Sequence, residues 1–281
     1  LDNSKTIIEE IQKIKIPHKL IVGVINRSSG RASLTMSKVQ KKFRLNGSEP
    51  TMVQKILNKR LFIKKCMENN ILVPKFYNKI SKKEISRIKF PLIVKPSESV
   101  IGKKGISVVH KNTKINKAIN FAKKFSVNKQ AIVQKKVFGK DIVLLGAVKN
   151  RKYFDLALID EINLIKKNII QRHGFRHPSE YIKKKIKKNL IFLANKIIKL
   201  FKLNNTPLNL SFRVDAQNKF YLIEINLEIS GELIHEKLLK FKNSSSSTFE
   251  WYLNLLILNK NTLSPKKLIK KSIRVSDKIL N

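Results

Sequence analysis

The chain has 281 residues and a net charge of +41, from 60 lysines and arginines against 19 acidic residues. Its single cysteine, Cys66, excludes an internal disulfide and a cysteine-rich metal site. This is typical of a reducing compartment, and we expect a cytoplasmic protein. No apolar run reaches the roughly 20 residues of a membrane helix, and no secretory signal precedes the first amphipathic pattern, so we expect no membrane partner.

The positive charge alone suggests nucleic acid as a partner, because lysine and arginine neutralise phosphates. The lysines, however, are spread along the whole chain together with many asparagines and isoleucines, which is typical of a biased coding composition. The sequence shows no zinc-ligand spacing, aromatic–basic module or basic arm. We expect non-specific attraction to polyanions and no specific nucleic-acid function.

The first 50 residues predict a short β/α segment. A helix over 4–15, capped by Ser4, precedes a buried strand over 20–25. The polar loop over 26–31 follows; a lone Ser-Ser-Gly loop is a weak sign of phosphate binding and more often only a connection. The segment is too small for a complete dinucleotide-type domain. Since the first residue is not Met, we expect a fragment of a longer protein.

The middle of the chain mixes short strands and helices. Helices are predicted over 35–44, 50–69, 81–88 and 114–125, and strands over 90–96, 106–109, 131–137, 141–149 and 153–160. A hairpin containing glycines joins the first two strands. The order of strand, hairpin, strand, helix, strand and strand favours an antiparallel α+β architecture over a doubly wound one.

The last third predicts a long helix over 179–202 and then two strands, over 208–215 and 220–226, joined by a polar turn. A packing helix over 248–258 follows, and the basic tail from Lys266 is predicted to be poorly ordered.

Glu224 and Asn226 are two residues apart in a strand, so their side chains point to the same face. A carboxylate beside an amide carbonyl is an oxygen-ligand set suited to Mg²⁺. Alternatively, Glu224 pairs with a lysine at a sheet edge and Asn226 begins a turn. The two residues alone leave both interpretations open.

Three features occur in a fixed order along the chain. Lys95 ends a strand before the glycine hairpin, Gly139-Lys140-Asp141 follows the strand over 131–137, and Glu-x-Asn ends the strand over 220–226. In this order and spacing, residues 50–260 resemble the ATP-grasp superfamily of carboxylate–amine ligases, which includes biotin carboxylase, the carbamoyl-phosphate synthetase large chain and D-alanine–D-alanine ligase.

The resemblance implies an α+β ATP-grasp fold, in which two subdomains clasp the nucleotide. It divides the chain into a partial pre-ATP-grasp β/α segment (1–50), an N-terminal part with a linker helix and a small lid subdomain (51–140), a C-terminal subdomain (141–262) and a basic tail (263–281).

The resemblance also implies which residues contact ATP: Lys59, Lys95, Gly102, Gly105, Gln134, Lys135, Val137 and Asp141. The two lysines would meet the phosphates as point charges, and the hairpin glycines would allow close backbone approach. Backbone groups of Lys135 and Val137 would bind adenine, and Asp141 would hold the ribose hydroxyls.

The metal ligands implied by the resemblance are Glu224, Asn226 and, on the preceding strand, Ser211. The metal would be Mg²⁺, with Mn²⁺ as an alternative. The candidate catalytic residues are Lys95, Arg213 and Arg176.

The chain departs from the family pattern at several of these positions. Ser211 replaces an acidic or amide ligand and is a poor one. Leu227-Glu228 replaces the usual Pro-Arg and removes a basic group near the transferred phosphate, and Gln134 replaces an acid in the hinge.

Arg172, His173, Arg176 and His177 form a dense cluster before Pro178. One interpretation is contact with a substrate carboxylate or phosphate, because the family's substrate-side loop lies before such a proline. The other is a solvated turn in a basic protein, and the sequence leaves both open.

The implied function is an ATP-dependent ligase that makes an acyl phosphate from a carboxylate and MgATP and passes the acyl group to an amine or similar nucleophile. Its partners would be small-molecule carboxylates and amines, and an oligomer is compatible with the sequence. Because of the departures, the alternative is a catalytically degenerate protein that binds nucleotides or polyanions without turnover.

Overall fold

The computed structural model describes residues 3–14, 17, 20–77, 88–99, 103–231, 233–242, 244–260 and 262–274. Gly102 and nearly all of the predicted helix over 81–88 lie outside these residues. In the described ranges, no helix is both long enough and apolar enough to cross a membrane.

The described residues form α-helices and strands in a mixed order. The helices are α1 Ser4–Lys13, α2 Ala32–Lys42, α3 Pro50–Leu57, α4 Lys59–Glu68, α5 Ile115–Lys124, α6 Lys184–Phe201 and α7 Thr248–Leu253. The strands are β1 Phe76–Tyr77, β2 Leu92–Pro96, β3 Ser107–Val109, β4 Ala131–Lys135, β5 Lys140–Lys149, β6 Lys152–Lys166, β7 Ile169–His177, β8 Thr206–Val214, β9 Phe220–Asn226 and β10 Lys271–Arg274.

These strands form one antiparallel sheet in the order β1-β4-β2-β3-β7-β6-β5-β8-β9, with β10 paired to β7. A narrow junction, the pair Ser107 and Ile169, joins a small part (β1 to β4) to a large part (β5 to β9). The observed architecture confirms the predicted antiparallel α+β class.

Strand β8 shows how the sheet separates the core from a polar face. Leu208, Leu210 and Phe212 are buried in a core with α6, α3 and α4. The alternate residues Asn209 and Ser211 face the other side. Burial of each such Leu or Phe side chain stabilises the fold by roughly 1.5–3 kcal/mol.

A β-bulge in β9 sets the direction of the Glu-x-Asn side chains. Ser211 pairs with Glu224, but the next residue, Phe212, pairs with Leu222, so Ile223 is the extra residue. The bulge explains why buried apolar residues of this strand change phase between Leu222 and Ile225.

The predicted helix over 50–69 is wrong in one respect, because it is two helices that meet at Asn58. The Asn58 side chain accepts hydrogen bonds from the backbone N–H groups of Arg60 and Leu61 and caps α4. Lys59 therefore begins α4 and is buried. Ser4, in contrast, lies inside α1, and its predicted role as the cap is wrong.

Two further predictions of secondary structure are wrong. Residues 20–25 form no strand, and Leu20 and Val22 are 61% and 68% exposed; no neighbouring strand in the described part of the chain supplies a hydrogen-bond ladder there. The tail is also not irregular over 271–274, because these residues form β10 and pair with β7; residues 275–281 of the predicted tail lie outside the described residues.

Candidate functional site

A cavity of about 450 Å³ lies between the small and large parts of the sheet. Residues that the sequence assigned to a site line it together: Lys59, Lys95, Gln134, Lys135, Val137, Asp141, Ser211, Arg213, Glu224 and Asn226. Lys95 comes from β2 and Glu224 from β9, so opposite halves of the chain meet in this cavity.

The middle of the cavity holds two lysines and a carboxylate. The Lys59 ammonium donates a hydrogen bond to Ser99 Oγ at 2.9 Å and lies 3.4 Å from Glu224 Oε1. Lys95 is 6% exposed, and no ion pair of Lys95 occurs among the described residues. Burial, followed by the charge of Lys59, lowers the pKa of Lys95 to about 8, against the opposite effect of Glu224. The two lysines carry one more positive charge than Glu224 balances, and a bound anion would neutralise it.

Glu224 and Asn226 form the candidate metal face. Burial acts to raise the pKa of Glu224, but the charges of Lys59 and Lys95 and hydrogen bonds from Lys59 and Asn226 lower it below its ordinary value. Glu224 is therefore ionised, and Ser211 lies opposite it on β8. This donor set of a carboxylate, an amide and a hydroxyl fits Mg²⁺, which accepts one good carboxylate and keeps several waters. In the described part of the chain, no group of three or more His, Cys, Asp or Glu side chains forms a denser metal site.

At one end of the cavity, which we call the paired end, the carboxylates Asp141 and Glu161 have protein donors. Arg213 binds both oxygens of Asp141, with Nε at 2.6 Å and Nη2 at 2.7 Å, and Asn163 donates to Oδ2 at 2.7 Å. The Arg213 guanidinium also donates to the Val137 carbonyl at 3.4 Å. Arg213 thus joins Asp141 to the segment that follows β4.

Glu161 completes the paired end. Arg172 Nε donates to its Oε1 at 2.6 Å, and Lys103 Nζ lies 3.0 Å from the same atom. Burial acts to raise the pKa of Glu161, but these two cations lower it to about 2. Lys103 also donates to Asn163 at 2.6 Å, so the segment that begins at Lys103 is held against β6.

The segment over 134–137 lies along the cavity with some of its backbone already bonded. The Lys135 N–H donates to the Lys75 carbonyl at 2.9 Å, and the Lys136 N–H to the Pro91 carbonyl at 3.0 Å. Gln134, at the predicted acid position, donates from its side chain to the Pro74 carbonyl at 3.2 Å. Its amide therefore contributes to holding the segment in place.

At the other end of the cavity, which we call the open end, Glu228 and Asn209 have acceptor atoms without a partner. In the described chain, Glu228 Oε2 and Asn209 Oδ1 are buried and meet no hydrogen-bond donor. Burial, followed by the charge of Glu224, raises the pKa of Glu228 to about 7, although the Gly30 N–H and Arg172 act to lower it.

Two of the predicted site residues do not line the cavity. Gly105 has a φ of +80°, and a Cβ there would lie 2.9 Å from Pro96 and Phe125 side-chain atoms, so the turn itself requires glycine. Arg176 is turned to Asp160, to which its Nε and Nη2 donate at 2.9 and 2.7 Å.

The cluster before Pro178 is not a solvated turn, because it belongs to β7. Arg172 of this strand reaches the cavity and Arg176 does not. Sequence reasoning missed Glu161, Lys103 and Asn209 altogether. Alternation along the strands was the available signal for Asn209, which shares a face with Ser211.

The structure is similar to solved ATP-binding enzymes. The biotin carboxylase domain of 2-oxoglutarate carboxylase from Hydrogenobacter thermophilus, in complex with MgADP, ADP and bicarbonate, aligns over 96% of this chain and 60% of its own, with 14% identity and a TM-score of 0.71. Biotin carboxylase from Campylobacter jejuni, in a β-γ-ATP complex, aligns over 96% of this chain and 60% of its own, with 14% identity and a TM-score of 0.70.

L-amino acid ligase from Bacillus licheniformis aligns over 72% of this chain and 48% of its own, with 16% identity and a TM-score of 0.59. The chain thus spans about half to three fifths of the length of these three proteins. At such identities the likeness shows the fold alone. A search of curated proteins finds no match.

The sequence itself matches a family model over residues 75–234, which is more than half of the chain. That model describes the ATP-binding domain of the carbamoyl-phosphate synthase L chain. Its range includes β2, the paired end and the Glu-x-Asn strand. The chain is therefore a member of the carbamoyl-phosphate synthase L-chain ATP-binding domain family, and its fold is the ATP-grasp fold.

Proposed function

We propose that this protein is an ADP-forming ligase that uses MgATP to convert a small carboxylic acid to an acyl phosphate and then transfers the acyl group to an amine. The observation that carries the proposal is the meeting of Lys59, Lys95, Glu224 and Asn226 in one cavity. Membership in an ATP-binding family with a ligase among its structural neighbours supports the reaction class.

In this proposal, Lys59 and Lys95 bind the ATP phosphates. Two ammonium groups that repel each other become favourable when a polyphosphate lies between them, because phosphoryl transfer depends mainly on positioning and charge neutralisation. Placement of Lys59 at the first position of α4 also directs the positive end of the helix dipole toward the anion.

Glu224 and Asn226 would hold Mg²⁺, which when bound supplies charge neutralisation to the phosphates. In the structure the Asn226 side chain hydrogen-bonds to Glu224. Metal binding would replace this bond, and Asn226 would then present its amide oxygen. Ser211 would contribute a neutral oxygen, and Mn²⁺ would fit the same donors.

The paired end would hold the nucleoside. Asp141 would accept the ribose hydroxyls, Arg213 would keep its carboxylate in place, and the backbone of Lys135 and Val137 would bind adenine. Arg213 is thus a positioning residue in this proposal. Arg172 lines the cavity and Arg176 does not, so Arg172 and not Arg176 could contact ATP.

The proposal is tested by ATP binding. Lys95→Ala is expected to weaken MgATP binding by about 1.5–3 kcal/mol, the range for a hydrogen bond to a charged group. Isothermal titration calorimetry at two salt concentrations measures this, because non-specific attraction of ATP to a chain of net charge +41 falls steeply with salt. Lys117→Ala, at an exposed position of α5, removes the same charge and is the matched control.

Turnover is tested by ADP release from MgATP over pooled carboxylates and amines. Release that requires one acid and one amine supports the ligase. Unchanged ATP affinity in a folded Lys95→Ala protein, or binding that disappears with salt in every variant, contradicts it and favours the polyanion-binding alternative.

A further inference from the structure

The open end contains buried acceptor atoms without donors. Glu228 Oε2 and Asn209 Oδ1 have no partner in the described residues, and Asn209 is only 3% exposed. Buried polar atoms are nearly always hydrogen-bonded, so unpaired ones that line a cavity require an explanation. Both atoms are acceptors, which points to a ligand that supplies donors.

The orientation of the Asn209 amide is fixed by its nitrogen. Nδ2 donates to the Glu228 carbonyl at 2.8 Å and to Ser230 Oγ at 2.9 Å. A carbonyl oxygen only accepts hydrogen bonds, so the nitrogen must face residue 228. The unpaired atom of Asn209 is therefore its oxygen.

The position of Asn209 along β8 places the open end beyond the nucleotide. Arg213 pairs with Asp141 at the paired end, and Ser211 lies opposite Glu224 in the middle. Asn209 is four residues from Arg213, which corresponds to roughly 13 Å along a strand. The second substrate of a ligase must reach the far side of the transferred phosphate, which is this side of the cavity.

We propose that Glu228 and Asn209 bind the ammonium group of a primary amine, the nucleophilic substrate of the proposed ligase. This proposal rests on the proposed function for the identity of its ligand. A primary ammonium has one positive charge and three N–H donors, which match a carboxylate oxygen and an amide oxygen. Where the family pattern has an arginine, Glu228 converts an anion-binding position into a cation-binding one.

The surroundings of Glu228 favour an ammonium group over a second metal ion. Mg²⁺ keeps several of its waters, but the unpaired oxygens of Glu228 and Asn209 are buried, whereas the Glu224 side chain at the metal face is 41% exposed. A bound ammonium would hold the Glu228 carboxyl group ionised.

The test is ligand-observed saturation-transfer NMR on the full chain, with and without Mg²⁺ and a non-hydrolysable ATP analogue. The probes are ethylamine, the uncharged N-ethylacetamide, and ethyltrimethylammonium, which is a cation without N–H donors. We expect saturation of ethylamine alone. Non-specific cation binding is low because the net charge of +41 repels cations.

Glu228→Gln keeps the shape of the side chain and removes its charge. We expect ethylamine to bind about tenfold more weakly to this variant, as for the loss of a charged hydrogen bond. Glu250→Gln, at an exposed position of α7 that does not line the cavity, makes the same change and should have no effect. Thermal melting verifies that each variant is folded.

Equal binding of ethylamine to the wild type and Glu228→Gln overturns the proposal, as does equal binding of N-ethylacetamide. Displacement of ethylamine by MgCl₂ without nucleotide assigns the position to a metal and also overturns it. The signals of the ATP analogue report nucleotide binding in the same sample. Their failure contradicts the proposed ligase, whereas the ethylamine result without nucleotide still decides the amine site.

Discussion

The paired end and the open end of the cavity each hold a carboxyl group, Glu161 and the half-buried Glu228, and the two are in opposite electrostatic states. Glu161 has two cationic partners, and its pKa is lowered to about 2 despite burial. Glu228 has an unpaired oxygen, and burial together with Glu224 raises its pKa to about 7. The difference shows that burial alone does not decide the charge of a carboxyl group. Cations of the protein neutralise the carboxylates at the paired end, whereas the carboxylate at the open end is left for a ligand to neutralise.

The largest expected effect comes from breaking the paired end. Glu161→Gln leaves Lys103 and Arg172 without their anion and should lower the free energy of unfolding by about 2–3 kcal/mol at pH 7. The folded pKa of about 2 lies below the ordinary glutamate value of 4.5, so this stability is present above pH 4.5 and is lost as the pH falls toward 2. Urea unfolding at pH 7 and pH 3 measures it.

Glu49→Gln is the matched control for this change. Its pair with Lys41 is exposed, with side chains 54% and 65% accessible, and should contribute less than about 1 kcal/mol. If Glu161→Gln is no more destabilising than Glu49→Gln, the cations at the paired end do not stabilise the fold.

The lysines between the two ends give the second prediction. Burial, followed by Lys59, lowers the pKa of Lys95 to about 8, so the free protein loses this charge as the pH rises through 8. If ATP requires the charged form, its affinity should fall about tenfold between pH 7 and pH 9. Binding at pH 8.5 should take up a proton, which calorimetry in buffers of different ionisation enthalpy detects. Lys95→Arg should bind without that uptake, and uptake that persists in Lys95→Arg would refute the assignment.

The sequence predicted strands β8 and β9, which carry the site, better than it predicted the strands that pair elsewhere in the sheet. Alternation of apolar residues located β8 and β9, and the Glu-x-Asn pair lies at the predicted strand end. Pairing of distant residues has no local signal, however. The sequence of β7, Ile169–His177, looks only like a basic cluster and carries no strand pattern. It is a strand because it pairs with β6 on one side and β10 on the other. Short strands depend on such tertiary contacts more than on propensity.

Site chemistry divides in the same way. The resemblance, which rests on motif order and spacing, predicted that Lys95 and Glu224 lie in one site, and both line the cavity. The partners of Asp141 and Glu161 follow no common spacing, because Arg172 is 11 residues from Glu161 and Arg213 is 72 residues from Asp141. No local motif therefore predicts them. Glu228 was visible as a departure from the family pattern, but its buried, unpaired oxygen and its hydrogen bond from the Gly30 N–H are properties of the folded chain that no sequence pattern indicates.

Removing the charge at the open end should stabilise the protein, in contrast to the paired end. The folded pKa of Glu228, about 7, lies above the ordinary glutamate value of 4.5, so wild-type stability falls as the pH rises from 4.5 through 7. Glu228→Gln avoids this loss and should raise the free energy of unfolding by about 1 kcal/mol at pH 8, with little change at pH 4. Urea unfolding at both pH values measures it, with Glu250→Gln as control. A destabilised Glu228→Gln at pH 8 would mean that Glu228 has a cationic partner.

The smallest effect is expected at the metal face, in the middle of the cavity. There Ser211 stands at a position where the family pattern has an acidic or amide ligand. Ser211 lies opposite Glu224 and offers a neutral oxygen, so Ser211→Asp adds a carboxylate where Mg²⁺ is proposed to bind. The Mg²⁺ concentration for half-maximal ATP binding should fall about threefold, since an added charge in a partly solvated site contributes less than about 1 kcal/mol.

Two variants make this last prediction specific. Ser244→Asp, at an exposed position, adds the same charge and should leave the Mg²⁺ titration unchanged. Glu224→Gln should remove the Mg²⁺ dependence altogether, because it neutralises the only carboxylate of the proposed ligand set. If Ser211→Asp leaves the titration unmoved in a folded protein, Ser211 does not face the metal. The metal would then be held by β9 alone, on the side of the bulge where Glu224 and Asn226 line the cavity.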